Sequence, residues 1–353
     1  MTAKRPTSAD VAERAGVSRT TVSFVLNERA DMTIPTATRQ RVMDAAAALG
    51  YHPHGAARQL ARGTSHTVGL VMLQTAEQVA GDAVLADTLR GLAAAARTED
   101  FRVLVETMDP RAGSYAGLLR SAHCDGLVIS GPRSDDTELI DLVRDDFPIV
   151  VQGWLPGLEA PSVDVDNTAG ARLAVDHLIA LGHRRIGCIT NAPLAYTAAA
   201  ARLDGYRAAL EAAGLPFDPT LVAEGAFEPA SGHRAVGELL DRAPAGGRLP
   251  FTALFIASDV VALGAIGGLR ERSIAVPLDV SVVGFDDIAL SAYVDPPLTT
   301  VHLPAHDLGL AAGRALLDRI ARRPVADRTV LPIELIVRGS TAPPVERHRG
   351  PSP

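Results

Sequence analysis

Ala9-Asp-Val-Ala-Glu-Arg-Ala-Gly-Val-Ser-Arg-Thr-Thr-Val-Ser-Phe-Val-Leu-Asn27 is the stretch on which the reading of this chain turns. Just upstream, Thr7-Ser8-Ala9-Asp10 opens a helix, with a hydroxyl available as cap and an acid in the first turn. Val11, Ala12 and Ala15 fall on one face at helical spacing, Gly16 breaks the helix, and Val17 can plug the gap to the next one. Ser18 caps a second helix from Arg19 to roughly Leu26, with Val22, Val25 and Leu26 as its buried stripe and Arg19, Thr20, Ser23 and Phe24 outward. Pro35-Thr36 starts a third helix, through Val42, Ala45, Ala46 and Leu49, that ends at Gly50. Two short helices joined by a glycine turn, with polar groups opening the second, form the helix-turn-helix pattern. Such a second helix enters the major groove, where hydroxyls reach phosphates and Arg19 can pair bidentately with guanine. The same pattern also fits a plain three-helix bundle with no role at DNA.

Composition fits a small basic head on a large acidic body. The first 62 residues hold nine Lys/Arg against five Asp/Glu, a net of +4, which leaves −11 for the remainder of a chain whose net charge is −7. At 353 residues, with 47% hydrophobic, the chain predicts more than one folded unit and a large core. The N-terminal Met1–Gly16 stretch has no long apolar run, so no signal peptide is expected. No run of about 18 apolar residues occurs, so no membrane span is expected. Cys124 and Cys188 match no metal or redox spacing and are expected to be free thiols in a reducing cytoplasm.

Tyr51-His-Pro-His-Gly-Ala-Ala-Arg-Gln-Leu-Ala61 follows the head. It is helix-compatible, but a helix this short is marginal in water, so in the free protein it reads as a linker. From His66 to Thr341, strand-like and helix-like segments alternate, which predicts parallel sheets flanked by helices. One series of units runs to about Ser162 and a second to about Ser291, and the last segment supplies a piece to each. The expected organisation is an all-α helix-turn-helix headpiece over 1–53, a hinge over 54–65 and an α/β body over 66–343. Lobe one would span about 66–162 and 292–322, lobe two about 163–291 and 323–341, with a polar tail over 344–353. Ligands bind beyond the carboxyl ends of parallel strands, which places a ligand in the cleft between facing lobes.

Enzyme readings fail one by one. His302 and His306 stand four apart, but Pro304 between them argues against a helical metal pair. Gly264, Gly267 and Gly268 lie in an apolar helix-like stretch, not at a strand-to-helix turn, so they are no dinucleotide fingerprint. No serine, histidine and acid constellation can be picked out. No cofactor is expected.

The run from Ala9 to Asn27 resembles, over a long and nearly gapless span, the signature of the lactose/galactose repressor family. The resemblance implies base reading at Arg19, Thr20 and Phe24 and phosphate contacts from Ser18, Thr21, Ser23 and Asn27. Thr7, Tyr51, His54 and Ala57 join the same DNA-contacting set. Phe24 departs from members with a polar or basic residue there; a ring can touch a thymine methyl but cannot hydrogen-bond a base edge. For the hinge, the resemblance implies a helix formed only on DNA, paired with that of a second subunit, its Leu60 wedged into the minor groove at the centre of a palindrome. Gly55 lowers helix propensity there by up to about 1 kcal/mol relative to Ala.

The resemblance extends over almost the whole chain, through Asp166-Asn167, His177-Leu-Ile-Ala-Leu-Gly-His-Arg-Arg-Ile186, Ala201-Arg-Leu-Asp-Gly-Tyr206, Val282-Val-Gly-Phe-Asp-Asp287, Pro296-Pro-Leu-Thr-Thr300 and Val337-Arg-Gly-Ser-Thr-Ala-Pro343. It implies a body like the periplasmic sugar-binding proteins. Its implied effector set is Arg202 and Asp286, with Asp259 beside them, Ser258 where many relatives carry Asn, Phe227 as a stacking ring, Gln152 and Trp154 at a pocket edge, and Tyr196. Tyr196 and Ala198 differ from the residues of purine-sensing relatives, which leaves a sugar or sugar phosphate as the expected effector. The implied partners are double-stranded palindromic operator DNA and a second copy of the chain, since a two-fold protein matches two-fold DNA. Nothing after Pro343 resembles the leucine-rich tetramer-forming helix, so a cytoplasmic homodimer is expected. The alternative from another class is a transport-type sugar-binding protein, against which the headpiece and the missing signal peptide both stand.

Overall fold

Thr7 caps the first helix as its place before Ser8-Ala9-Asp10 predicts. The Asp10 N–H donates to Thr7 Oγ1 at 3.4 Å and the Thr7 N–H to Asp10 Oδ2 at 2.7 Å, a reciprocal capping box. Helix α1 (Ser8–Ala15) stops where Gly16 takes a left-handed backbone, φ 67°, a conformation that costs glycine little. Ser18 Oγ then accepts the Thr21 N–H at 3.0 Å and caps α2 (Arg19–Leu26). Helix α3 (Thr36–Leu49) follows. Val11, Ala12, Ala15, Val22, Val25, Val42, Ala45 and Ala46 form the buried core of this unit, with Leu26 and Leu49 only part-buried at its rim.

The computed structural model describes residues 6–26, 34–51, 64–109, 114–115, 124–242 and 249–345. It divides into two units, Met1–His66 and Thr67–Pro353. Asn27, His54, Gly55, Ala57 and Leu60, and with them the body of the expected hinge, lie outside the described residues.

The second unit holds two six-stranded sheets. The first contains β1 (Thr67–Met72), β2 (Arg102–Thr107), β3 (Gly126–Ser130), β4 (Ile149–Gln152), β5 (Ser162–Val165) and, from late in the chain, β11 (Arg328–Leu331). Its order is β11-β5-β4-β3-β1-β2, parallel throughout. It is flanked by α4 (Ala76–Ala80), α5 (Leu85–Arg97), α6 (Thr137–Arg144) and the late helix α11 (Ala305–Ile320). The second contains β6 (Ile186–Ile189), β7 (Val222–Ala223), β8 (Ala253–Ile256), β9 (Ser281–Asp286), β10 (Thr299–His302) and β12 (Glu334–Ile336), in the order β12-β10-β9-β8-β6-β7. Only β12 runs antiparallel, against β10. Helices α7 (Asn167–Ala180), α8 (Thr197–Ala212), α9 (Pro229–Asp241) and α10 (Asp259–Glu271) flank it. The central strands are buried on both faces and read as short, nearly continuous apolar runs, as a covered parallel sheet requires. Helices α5 and α11 approach closely: a Cβ on Gly91 would lie 1.9 Å from the His306 carbonyl oxygen, and one on Gly309 2.1 Å from that of Thr88.

The two lobes exist as expected, but the chain changes lobe at other places. It crosses after β5, after β10 and after β11, each time from the carboxyl end of a strand. Thr299–His302 pairs with β9 in the second sheet, so the return to lobe one falls at Leu303–Pro304, not at residue 292. Arg328–Leu331 pairs with β5, so the last crossing falls after Leu331 and not at residue 323. These strands are four residues each, and β11 joins β5 far upstream, so local pattern carried no sign of where the chain changes sheet.

Lobe two is stitched internally by Asp259, which is fully buried. Its Oδ2 accepts from Ser291 Oγ (2.6 Å) and the Ile288 N–H (3.1 Å), and its Oδ1 accepts from Thr300 Oγ1 (2.6 Å). Burial, and then the nearby charge of Asp286, push its carboxyl up to about 7. Asp164 on β5 is pushed up to about 6, mainly by burial. A carboxyl raised in the folded state holds a proton that the unfolded chain has already released, so stability falls as pH rises through that window. Body stability, followed by fluorescence of the single Trp154 in urea, is expected to decline from about pH 4 until pH passes about 7, the value reached by Asp259. Asp259→Asn should flatten the part of the decline between about 6 and about 7; an unchanged profile would show that Asp259 does not titrate there.

Candidate functional site

On the first unit, the amino end of α2 presents one polar face. Ser18, Arg19, Thr20 and Ser23 are exposed, while Thr21 and Phe24 are half-buried beside the packed Val22 and Val25. Ser18 and Thr21 share a hydroxyl–hydroxyl bond at 2.9 Å, which fixes both at the start of the helix. Thr7 is exposed, its hydroxyl donating to Asp10 at 2.7 Å, and Tyr51 packs half-buried against the three-helix core. The structure thus gathers Ser18, Arg19, Thr20, Thr21, Ser23 and Phe24 on one short helix and its cap.

In the second unit, the predicted effector residues sort into two groups. Arg202 on α8 is buried and sits among strand ends. Its Nε donates to Asn167 Oδ1 (2.9 Å), and its Nη1 donates to the Ala257 carbonyl (2.6 Å) and to Asp286 Oδ1 (3.3 Å). The guanidinium lies 3.6 Å over the Phe285 ring centroid, a cation–π contact. Asp286 ends β9 with φ 115°, and Asp287 after it has φ 55°, so the backbone at this strand end is held in a sparsely populated region. Burial pushes the Asp286 carboxyl upward, and Arg202 and the Ser258 hydroxyl pull against it. Ser258 and Asp286 are therefore neighbours of Arg202. Asp259 is not at the cleft surface, since its carboxylate is spent on lobe two's own donors.

Tyr196 and Phe227 sit where the lobes touch. The Tyr196 hydroxyl donates to the Leu73 carbonyl of lobe one at 2.6 Å, and its ring meets Phe227 edge-on at 4.9 Å. Beside it the Ser134 N–H donates to the Ala195 carbonyl (2.8 Å) and the Thr197 N–H to the Pro132 carbonyl (3.1 Å). Gln78 Nε2 reaches the Ala226 carbonyl at 3.4 Å. Tyr196 is buried among lobe-one core residues, which makes it a bridge between lobes. Trp154 lies elsewhere. It is 43% exposed, carries Arg328 at 4.6 Å over its ring, and lines a pocket of about 500 Å³ with Leu158, Arg319 and Arg323, all in lobe one. Gln152, two residues earlier, ends β4, and its Oε1 is buried with no hydrogen-bond partner.

Sequence reasoning passed over several residues at the same face. Gln74 follows β1, and Asn191 follows β6; both are buried, and Gln74 Oε1 and Asn191 Oδ1 also lack partners. Asp164, at the end of β5, accepts from Asn167 Nδ2 at 3.1 Å, so a chain Asp164–Asn167–Arg202–Asp286 runs from lobe one into lobe two. Asp82 interacts with Gln74 and acts on Asp286 through space. One sign was available: each of Gln74, Gln152 and Asn191 ends or directly follows a buried apolar strand run, where parallel sheets place ligands. His302 and His306 bond to Asp287 and Asp307, and no group of three or more His, Cys, Asp or Glu among the described residues could hold a metal ion. The thiols of Cys124 and Cys188 are pushed up to about 11 and about 12, chiefly by burial. No helix among the described residues is long and apolar enough to cross a membrane.

Comparison with known proteins agrees with both units. Residues 7–54 match the family described as bacterial regulatory proteins, lacI family, and residues 175–341 match the periplasmic binding protein-like domain. The HTH-type transcriptional regulator CelR of Thermobifida fusca is 38% identical over 347 residues, covering 96% of this chain and 98% of that protein. The HTH-type transcriptional repressor CytR of Escherichia coli K12 is 34% identical over 343 residues, covering 95% and 96%. Among solved structures, the Lac repressor dimer bound to operator and an anti-inducer aligns with TM-score 0.81 at 29% identity, covering 96% of this chain and all of that one. A CelR–cellobiose complex aligns with TM-score 0.70 at 36% identity, covering 95% and 100%. With a headpiece that carries the helix-turn-helix signature and relatives of this identity along nearly its full length, the chain belongs to the lacI family of bacterial DNA-binding transcriptional regulators and is not an enzyme.

Proposed function

We propose that this regulator is a cytoplasmic repressor that binds a palindromic operator as a homodimer and is controlled by a carbohydrate held between its lobes. The observation that carries the effector reading is the set of unpartnered buried amide oxygens on Gln74, Gln152 and Asn191, at carboxyl ends of strands in both lobes, as Asp286 is at the end of β9. Unpaired buried polar atoms are costly, and a ligand that satisfies them recovers that cost. Relatives point the same way, since one solved complex holds cellobiose and another holds ribose. Within the cleft, Phe227 supplies a ring face, and Arg202 and Ser258 set the position of Asp286. In this reading Tyr196 serves as the inter-lobe tie that ligand binding strengthens or breaks, and Trp154 is not part of the ligand site.

On the DNA side, Arg19, Thr20 and Phe24 read base edges, while Ser18, Thr21, Ser23, Asn27, Thr7 and Tyr51 contact the backbone. His54, Ala57 and Leu60 contribute through the hinge, Leu60 as a minor-groove wedge. A ligand that favours one relation of the lobes shifts the operator-competent population, a coupling of about 1–3 kcal/mol in typical cases.

Operator affinity should fall by at least about a hundredfold between about 50 and 200 mM salt, because phosphate contacts release counterions. Fluorescence anisotropy on a labelled operator reads this, and a flat response would remove the phosphate contacts. Arg19→Ala is expected to cost about 1–3 kcal/mol on the operator and to relax preference at one base pair; equal loss on all sequences would make Arg19 a phosphate contact instead. In the body, Arg202→Ala should lower stability by about 3–5 kcal/mol, since it leaves Asp286 buried and unpaired, and should abolish the effector response. Retained response would place the ligand away from this pair.

A further inference from the structure

Three buried side-chain oxygens at the carboxyl ends of strands have no hydrogen-bond partner. The buried, unpartnered atoms there are all acceptors: Gln74 Oε1, Gln152 Oε1 and Asn191 Oδ1. Gln74 and Asn191 are each only 7% exposed. Gln74 acts on the Asp82 carboxylate as a donor, the role of its NH2, which leaves its oxygen as the unmet atom. Asp82 itself is held by the Val84 and Leu85 N–H groups at 2.9 and 3.1 Å.

Charge around these acceptors has the same sign. Asp82 and Asp164 stand on lobe one, Asp286 ends β9 on lobe two, and Asp259 lies behind it. Arg202 is the buried cation among them, and its Nε and Nη1 are already committed to Asn167, Ala257 and Asp286. Arg133 nearby is held by a bidentate pair with Asp135, at 2.8 and 2.6 Å. The body offers no lysine at all, since Lys4 is the only one in the sequence. A phosphate group is recognised by free Arg or Lys forks or by clustered N–H donors, and both arginines here already hold a carboxylate of their own.

We infer that the effector is an uncharged polyhydroxyl compound, a free sugar or neutral oligosaccharide, and that the cleft rejects phosphorylated sugars by charge. The inference rests on the carbohydrate reading above and narrows it. Sugar hydroxyls donate into Gln74, Gln152, Asn191 and the carboxylates at once, whereas a phosphate would bring only acceptors and negative charge to a site already rich in both.

The test uses the full-length protein and matched pairs of probes: glucose with glucose 6-phosphate, ribose with ribose 5-phosphate, and cellobiose, read by calorimetry and by thermal shift. At least one neutral probe should bind, with a Kd that changes less than about twofold between about 50 and 300 mM NaCl, because screening barely touches a neutral ligand. Its phosphate ester should bind at least about tenfold more weakly at low salt, and the gap should narrow in Asp82→Asn, which lowers the repulsion but leaves the shape. Gln74→Leu should weaken the neutral probe about tenfold, as loss of one buried acceptor predicts. A phosphate ester that binds as well as its parent, or a gap that Asp82→Asn leaves unchanged, overturns the charge selection while the carbohydrate reading stands. Failure of every sugar and every ester, with operator binding intact, would sink the carbohydrate reading and this inference together.

Discussion

A single buried guanidinium sets the geometry of the cleft. Arg202 ties together the start of α7, the end of β8 and the end of β9, and through Asn167 it reaches Asp164 on the other lobe. Taking such a charge out of water is expensive, and the cost is met only when the partners are close and complete. Phe285 beneath the ring and the acceptors around it provide that enclosure. Asp286 is thereby fixed at the end of its strand in a left-handed backbone, φ 115°, that few L-residues adopt without such support. Burial is the main reason that several carboxyls around Arg202 stay raised beside it.

Around this fixed pair, the remaining polar groups divide by what holds them. Asp259, saturated by Ser291, Thr300 and the Ile288 N–H, belongs to the frame of lobe two. Tyr196 belongs to the contact between lobes, with its hydroxyl on the Leu73 carbonyl and its ring on Phe227. Gln74, Gln152 and Asn191 belong to neither, because their amide oxygens are buried without a partner.

The headpiece was legible because its information is local. A capping hydroxyl, an acid three residues on, a glycine at a left-handed position and a serine cap all act within one turn, so Thr7, Asp10, Gly16 and Ser18 could be placed by spacing alone. The α/β alternation of the body was legible for the same reason, since each buried parallel strand is a short apolar run. Lobe boundaries were not, because β11 is chosen by a partner far upstream in sequence and the short β10 gives no local sign that it stays beside β9. Arg202 and Asp286 were identified through resemblance, and the structure joins them. Asp259 and Trp154 show the limit of that approach: adjacency in a motif does not say whether a carboxylate is already saturated, or on which side of a strand end a ring will fall. Gln74 and Asn191 carried no motif beyond their place after a buried apolar strand run, and their unmet acceptors single them out.

Three chain crossings join the lobes, and all three leave from carboxyl ends of strands. Strands tied side by side at one end resist sliding and stretching but still allow a bend, so the permitted motion is rotation about a line through the crossings. Displacement under rotation is smallest at that line and grows with distance from it. The chain enters lobe one at Thr67, the amino end of β1, about 20 Å along a six-residue strand from its cleft end. The body is therefore built as a lever with its fulcrum at the crossings, and Thr67, where the chain arrives from the first unit, lies on the long arm.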